Sequence, residues 1–311
     1  MIVLIEIVAP IFGVVLAGYL MALTPALSAE GIRGLSNFVF YAAIPALLFA
    51  TMAHATLPGG PDLALIAAYL GSSVVAFAAS LGVGWVLYRD SIAARAVMAM
   101  GAAFSNTVQL GIPLALQAFG PEGLRQHMLI VSVHSAVMIS LPTLIIEATR
   151  KGGHPGRTLV LAARALVTNP ILLAIAAGLA WSATGWPLPG PAESWLRLLG
   201  GASTSCALFA MGASMARFKL GGHLSESAVI TLFKLLVMPA TAWLLSRFAF
   251  GLDPLAVAVC TLCAALPSGV NVFILAQRYD VCVERSVNLI VLSTLASLVT
   301  LSALLTVFAV R

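Results

Sequence analysis

Apolar runs long enough to cross a bilayer follow one another along this chain with little polar sequence between them. That feature sets the class of fold. A spanning helix needs about 20 mostly apolar residues, and about ten runs reach that length. They fall at 2–22, 35–53, 63–88, 92–119, 124–148, 158–181, 195–216, 225–250, 254–279 and 286–310. The connections are short and hold Gly, Pro and charge, as in "LPGGPD" at 57–62, "RKGGHPGR" at 150–157 and "GWPLPGPAE" at 185–193. None is long enough to be a separate soluble domain. Only 9% of residues are charged and 61% are hydrophobic, whereas soluble domains carry about a quarter charged residues. The expectation is an all-α polytopic membrane protein. The first run lacks a basic start and can span by itself, so it reads as a retained helix rather than a signal peptide.

Cytoplasmic loops accumulate Lys and Arg. Alternate loops divide the basic residues unevenly: Arg33, Arg89, Arg95, Arg150, Lys151, Arg157, Arg164, Arg217, Lys219, Arg278 and Arg285 against Arg125, Arg197, Arg247 and Arg311. Both termini are therefore expected to face outward from the cytoplasmic (inner) membrane, with the loop after the fifth span inside. The net charge of +5 is spread over these loops and makes no nucleic-acid surface. Cys206, Cys260, Cys263 and Cys282 lie in or beside apolar segments. The lone CxxC at 260–263 has no second pair, so small apolar filler is the reading, with no disulfide framework, metal site or cofactor.

Sliding the chain against itself by about 160 residues gives a gapless register. "PILLAIAAG" at 170–178 falls on "PIFGVVLAG" at 10–18, pairing Pro170 with Pro10 and Gly178 with Gly18. Gln277 falls on Gln117, Arg285 on Arg125, and "LIV" at 289–291 on "LIV" at 129–131. Five spans per repeat is an odd number, so residues 1–155 and 156–311 would enter the membrane from opposite sides as inverted repeats.

The fourth and ninth spans contradict themselves. "SNTVQLGIPLALQAFG" at 105–120 sets polar side chains and a Gly-Ile-Pro inside an apolar run. Pro113 leaves the Gln109 carbonyl without its helical donor and should push Ile112 out of the helical region. In "LPSGVNVFILAQRYD" at 266–280, Pro267 frees the Cys263 carbonyl and Gly269 loosens the next turn. An unpaired carbonyl in hydrocarbon costs several kcal/mol, so a break survives only where protein or a watery cavity encloses it. Interrupted spans at corresponding places in two halves point to a midplane binding site. The candidate substrate-binding residues are Asn106, Thr107, Gln109, Gly111 and Pro113 at the first break, and Pro267, Ser268 and Asn271 at the second. Helix N-termini beyond each break favour an anion.

Lys234 lies in the eighth span, roughly 14 Å deep at helical rise. A lysine at bilayer centre costs about 2.5–3.5 kcal/mol on insertion scales. Two roles fit equally: a counter-charge for an anionic substrate, or a tether for carbonyls freed at a broken helix. Asn37, Tyr41 and His134 are second-tier candidates, for which interhelical hydrogen bonding is the plainer role. Glu6, Asp62 and Glu147 sit near span ends, so no deeply buried carboxylate marks a proton or sodium site.

"NTVQLGIPL" in the fourth span and "LPSGVNVFILAQRYDV" in the ninth resemble the paired motifs of the auxin efflux carrier family, which includes plant carriers and bacterial carriers linked to malonate and malate. The likeness covers the whole chain, and Lys234 followed by Pro239 also resembles the family's eighth span. It implies that spans one, two, six and seven form a scaffold and a homodimer face. Spans three to five and eight to ten would form a moving transport unit, with the fourth and ninth crossing at their prolines. It also implies that Asn106 helps bind a substrate carboxylate. Two departures stand out. The central loop is only about a dozen residues, so regulation by a long phosphorylated loop does not carry over. The 160-residue register also sets Pro113 opposite Phe273 and Pro267 opposite Thr107.

Enzyme motifs are missing. There is no His-Glu-x-x-His, no Walker or dinucleotide glycine pattern, and "LPSG" at 266–269 lacks the first Gly of a rhomboid-type Gly-x-Ser-Gly. The expected function is a secondary carrier for a small organic anion, a carboxylate such as malonate or malate, working by alternating access. The rival is a channel with half-helix selectivity elements.

Overall fold

The computed structural model describes residues 9–54, 59–87, 90–149, 168, 170–217 and 224–308. Arg89, Arg150, Lys151, Arg157, Arg164, Lys219 and Arg311 of the orientation argument lie outside these residues, as do Glu6 of the carboxylate argument and the starts of the first and sixth runs.

The described residues form helices, which we number in chain order. They are α1 (Ala9–Ala22), α2 (Ala29–Ala53), α3 (Gly60–Leu87), α4 (Ile92–Ala103), α5 (107–119), α6 (121–149), α7 (Pro170–Thr184), α8 (Gly190–Met215), α9 (Leu224–Ala249), α10 (Pro254–Ala265), α11 (Asn271–Tyr279) and α12 (Val283–Phe308). Six stretches are long and apolar enough to cross a membrane, Thr107–Thr149 among them. Four shorter apolar helices are α1, α4, α7 and α10. The stretch Thr107–Thr149 is two helices, because Gly120 sits at φ 67° and ψ −163°. Only glycine takes that conformation cheaply, and Pro121 then starts α6 with its φ already set.

Local sequence explains several helix starts. Ser28 accepts from the Gly31 N–H at 3.1 Å, and Ser91 from the Ala94 N–H at 3.2 Å. Asp253 accepts from Leu255 and Ala256 ahead of the α10 apolar run. Each meets N–H groups that a helix leaves unpaired in its first turn.

The prolines do something the sequence did not disclose. Wide π-helical turns occupy 39–43, 107–111, 233–237 and 245–249, and the first three each lie two residues before a proline: Pro45, Pro113 and Pro239. The Ile44 N–H reaches the Val39 carbonyl, the Gly111 N–H the Asn106 carbonyl, and the Met238 N–H the Phe233 carbonyl. A wider turn moves the backbone away from the proline ring and keeps the carbonyls at the start of each turn paired. The helix continues instead of breaking. The expectation for Pro113 is therefore corrected: Ile112 is helical (φ −59°, ψ −54°), and the break lies upstream, at Phe104–Asn106. The second break does contain its proline, running from Leu266 to Val270.

Helix α1 packs on α8, and α2 packs on α7 and α8. The first contact is backbone to backbone: a Cβ on Gly18 would collide with the Phe209 carbonyl. The second has the same form, with Gly178 against the Phe49 carbonyl. The other helices pack around a core that includes Leu65, Tyr69, Leu114, Met238, Cys260 and Leu266 and runs on into Ile11 and Val15 of α1 and Leu208 and Met211 of α8. Two arginines brace this second group. Arg125 at the start of α6 pairs with Asp62 at the start of α3 at 3.0 Å, and Arg285 at the start of α12 pairs with Asp90 at 2.6 Å and with Glu226 at the start of α9.

Candidate functional site

The two breaks meet. The chain leaves α4 at Phe104 and α10 at Leu266 in extended conformations, and the two segments lie antiparallel with Ser105 opposite Ser268. The Asn106 N–H donates to the Pro267 carbonyl at 2.8 Å, and the Gly269 N–H to the Phe104 carbonyl at 3.0 Å. Backbone groups that a broken helix strands are thus paired across the crossing, which makes two breaks in one apolar interior tolerable together. Gly269 is needed at this spot, because a Cβ there would meet the Phe104 ring at 2.8 Å.

Four helix ends converge here. The C-termini of α4 and α10 bring partial negative charge, and the N-termini of α5 and α11 bring partial positive charge. Side chains answer the negative ends. The Ser268 hydroxyl donates to the Gly101 carbonyl at 2.7 Å, while the Ser268 N–H donates to Ser293 Oγ at 3.1 Å. The Lys234 ammonium, fully buried, donates to the Ala264 carbonyl at 2.5 Å and to Ser105 Oγ at 2.9 Å, with Met238 Sδ at 3.2 Å. Of the two roles open to Lys234, these contacts are those of the tether, and the counter-charge role is not addressed by them.

At the positive end of α5, Asn106 is the capping residue. Its Oδ1 accepts the Gln109 N–H at 3.3 Å, and its Nδ2 turns toward α8 with Met211 Sδ at 3.6 Å. Thioether sulfur is a weak acceptor, so that amide keeps donor capacity. Thr107 is buried, and His127 Nε2 donates to its carbonyl at 2.8 Å. Gly111 lies flush against the His127 ring and Leu266; a Cβ there would come within 2.7 Å of both. Gln109 and Asn271, the first residue of α11, are part-exposed.

The remaining candidates scatter. Pro113 sits beyond the π turn, inside α5 and outside the break. His134 is buried beside the crossing, its ring 4.5 Å from the Phe104 ring, and shares a 3.3 Å hydrogen bond with the Tyr69 hydroxyl. Asn37 and Tyr41 on α2 are exposed, Tyr41 by 65%. Ser105, His127 and Tyr69 belong to the site and were not singled out from the sequence. Ser105 adjoins Asn106, and His127 stands seven residues before His134, which puts both on one helix face. That spacing was the available signal.

Comparison with known proteins gives the family. Residues 3–305 match a family described as "Membrane transport protein". A Rhizobium meliloti protein named "Putative malonate transporter" is 30% identical over 301 residues, covering 96% of this chain and 93% of that protein. A Methanothermobacter thermautotrophicus protein named "Uncharacterized transporter" is 27% identical over 297 residues, covering 95% of each. The chain belongs to the auxin efflux carrier family of membrane transport proteins.

Proposed function

We propose that this membrane transport protein is a secondary carrier for a small organic anion, with the substrate held where the two broken helices cross. One observation carries the reading. Asn106 caps a half-helix with its oxygen and turns its amide donor away from that helix, toward Met211 on α8. A carboxylate at that point meets an amide N–H and the positive end of α5. The Rhizobium meliloti relative's name makes malonate the first substrate to try.

Movement follows from the same place. We take α1, α2, α7 and α8 as a scaffold, and α3–α6 with α9–α12 as a unit that shifts against it to expose the crossing to each side in turn. Two inverted halves, 1–155 and 156–311, would supply ten spans, both termini outward in the inner membrane, with a homodimer through the scaffold. The swapped glycine contacts support this. Gly18 on Phe209 and Gly178 on Phe49 are one contact written twice in the 160-residue register. Arg125 with Asp62, and Arg285 with Glu226, repeat the pattern at opposite ends of the other unit. With the first break at Phe104–Asn106, the bridged serines fall within about three residues of that register.

Purified protein in proteoliposomes preloaded with unlabelled malonate should take up labelled malonate by exchange, and uptake should saturate. Uptake that neither saturates nor depends on internal malonate points to the channel reading instead. If a panel of mono- and dicarboxylates gives no flux of either kind, both readings are wrong.

A further inference from the structure

A lysine fully buried in a membrane helix normally answers a carboxylate, yet among the described residues no acidic side chain forms an ion pair with Lys234. Its surroundings are of another kind. Nζ meets a carbonyl in the last turn of α10, a hydroxyl in the first break, and a thioether one turn along its own helix. Two oxygen acceptors and one weaker thioether face the three protons of an ammonium, whereas a neutral amine has only two.

That set of acceptors has a parallel in other carriers with broken helices. There, unwound carbonyls and half-helix C-termini hold the coupling sodium ion. Here one such group, the Ala264 carbonyl at the end of α10, joins the Ser105 hydroxyl and the Met238 thioether around a cation that is covalently part of the chain. The ammonium ties the α10 end to Ser105 and so joins both breaks. It also neutralises the negative end of α10 beside the place where a substrate anion would sit.

We infer that Lys234 is a built-in substitute for a coupling cation: its Nζ occupies a monovalent-cation site at the crossing, so the protein needs no sodium to hold the crossing together. Lys234 is on this account a positioning residue. The inference rests on reading the crossing as the carrier's site. Its main test is nevertheless a stability measurement that stands whatever the substrate proves to be.

The decisive material is Lys234→Ala, purified and melted in choline chloride, sodium chloride, potassium chloride or methylammonium chloride at equal ionic strength. Wild type should melt at the same temperature in all four. The variant should lose about 5–10 °C in choline. It should recover at least half of that loss, saturably, with one of the small cations, because the vacated site keeps two oxygen acceptors and a thioether and choline is too large to enter. Survival through purification in a small cation but not in choline counts as the same recovery. Equal melting of the variant in all four salts, or loss of the variant in every one, overturns the inference. So does saturable stabilisation of wild type by sodium. As a second readout, labelled malonate uptake by wild type should be equal in sodium and choline, and Lys234→Ala uptake should return with the cation that restores its melting temperature.

Discussion

The two breaks are paired by backbone but employ their side chains differently. At the first, Asn106 caps α5 and still carries an amide donor directed at another helix. At the second, Ser268 commits its hydroxyl to the Gly101 carbonyl and its N–H to Ser293, and no side chain caps α11. On the proposed reading, the second break holds the crossing in shape and the first presents chemistry. A membrane interior tolerates irregular backbone only when it is enclosed, so one break serves as part of the enclosure for the other.

Breaking that division where it matters most calls for a substitution that keeps the cap and reverses the chemistry. Asn106→Asp does this. Asp is as good a cap as Asn, and its charge suits a helix N-terminus. The melting temperature should stay within about 2 °C of wild type. A second carboxylate would meanwhile repel an anionic substrate and remove the amide donor, a bond to a charged group worth about 1.5–3 kcal/mol. Malonate uptake at subsaturating concentration should fall about 100-fold, measured in proteoliposomes. Uptake near the wild-type rate would remove Asn106 from the site.

Gly111 sets how closely the two breaks approach. A methyl group there must displace His127, which the Thr107 carbonyl holds, or Leu266, which opens the second break. Gly111→Ala should cost about 1–3 kcal/mol as overpacking and slow uptake about tenfold. Unchanged melting and unchanged uptake together would mean that the crossing is looser than its contacts indicate.

Ser268→Ala sharpens the comparison from the other side. It removes one donor from the α4 C-terminus, about 1 kcal/mol, and lowers the melting temperature by a few degrees. Uptake should drop only two- to fivefold, in step with stability, and its half-saturating malonate concentration should not move. A large rise in that concentration would place substrate against Ser268 and erase the distinction between the breaks.

What the sequence revealed divides along the same physical line. Period, length and polarity are local properties, so the apolar runs, the polar residues 106–109 and the Pro-Ser-Gly at 267–269 could all be read directly. The exact seat of the first break could not. Pro113 obeys a local rule, loss of a donor, and the rule placed the fault at the proline. The chain answers with a π turn, and the fault moves to Phe104–Asn106, where the partner break supplies new hydrogen bonds. Ser105 and Ser268 stand far apart in sequence, and nothing within either segment records that they pair. Lys234 stayed divided between two roles for the same reason: its partners, Ala264 and Ser105, come from two other helices.

Pro113 itself then makes the smallest prediction and the one that best separates a local from a tertiary cause. If the proline made the break, Pro113→Ala would restore the helix through residues 104–112 and abolish uptake. If the crossing makes the break, the variant gains only an N–H for the Gln109 carbonyl. The ends of the π turn stay fixed by the Asn106 cap, by His127 on Thr107 and by the Ser105–Ser268 bridge. Melting should then hold steady or rise by about 1–2 °C, as expected when a helix loses a proline that it had already accommodated. Malonate uptake should remain within about twofold of wild type. Abolished uptake in a variant that still melts cooperatively would return the break to the proline. The pairing of the two segments would then be a consequence of two independent faults, and the difference between the breaks would lose its structural basis.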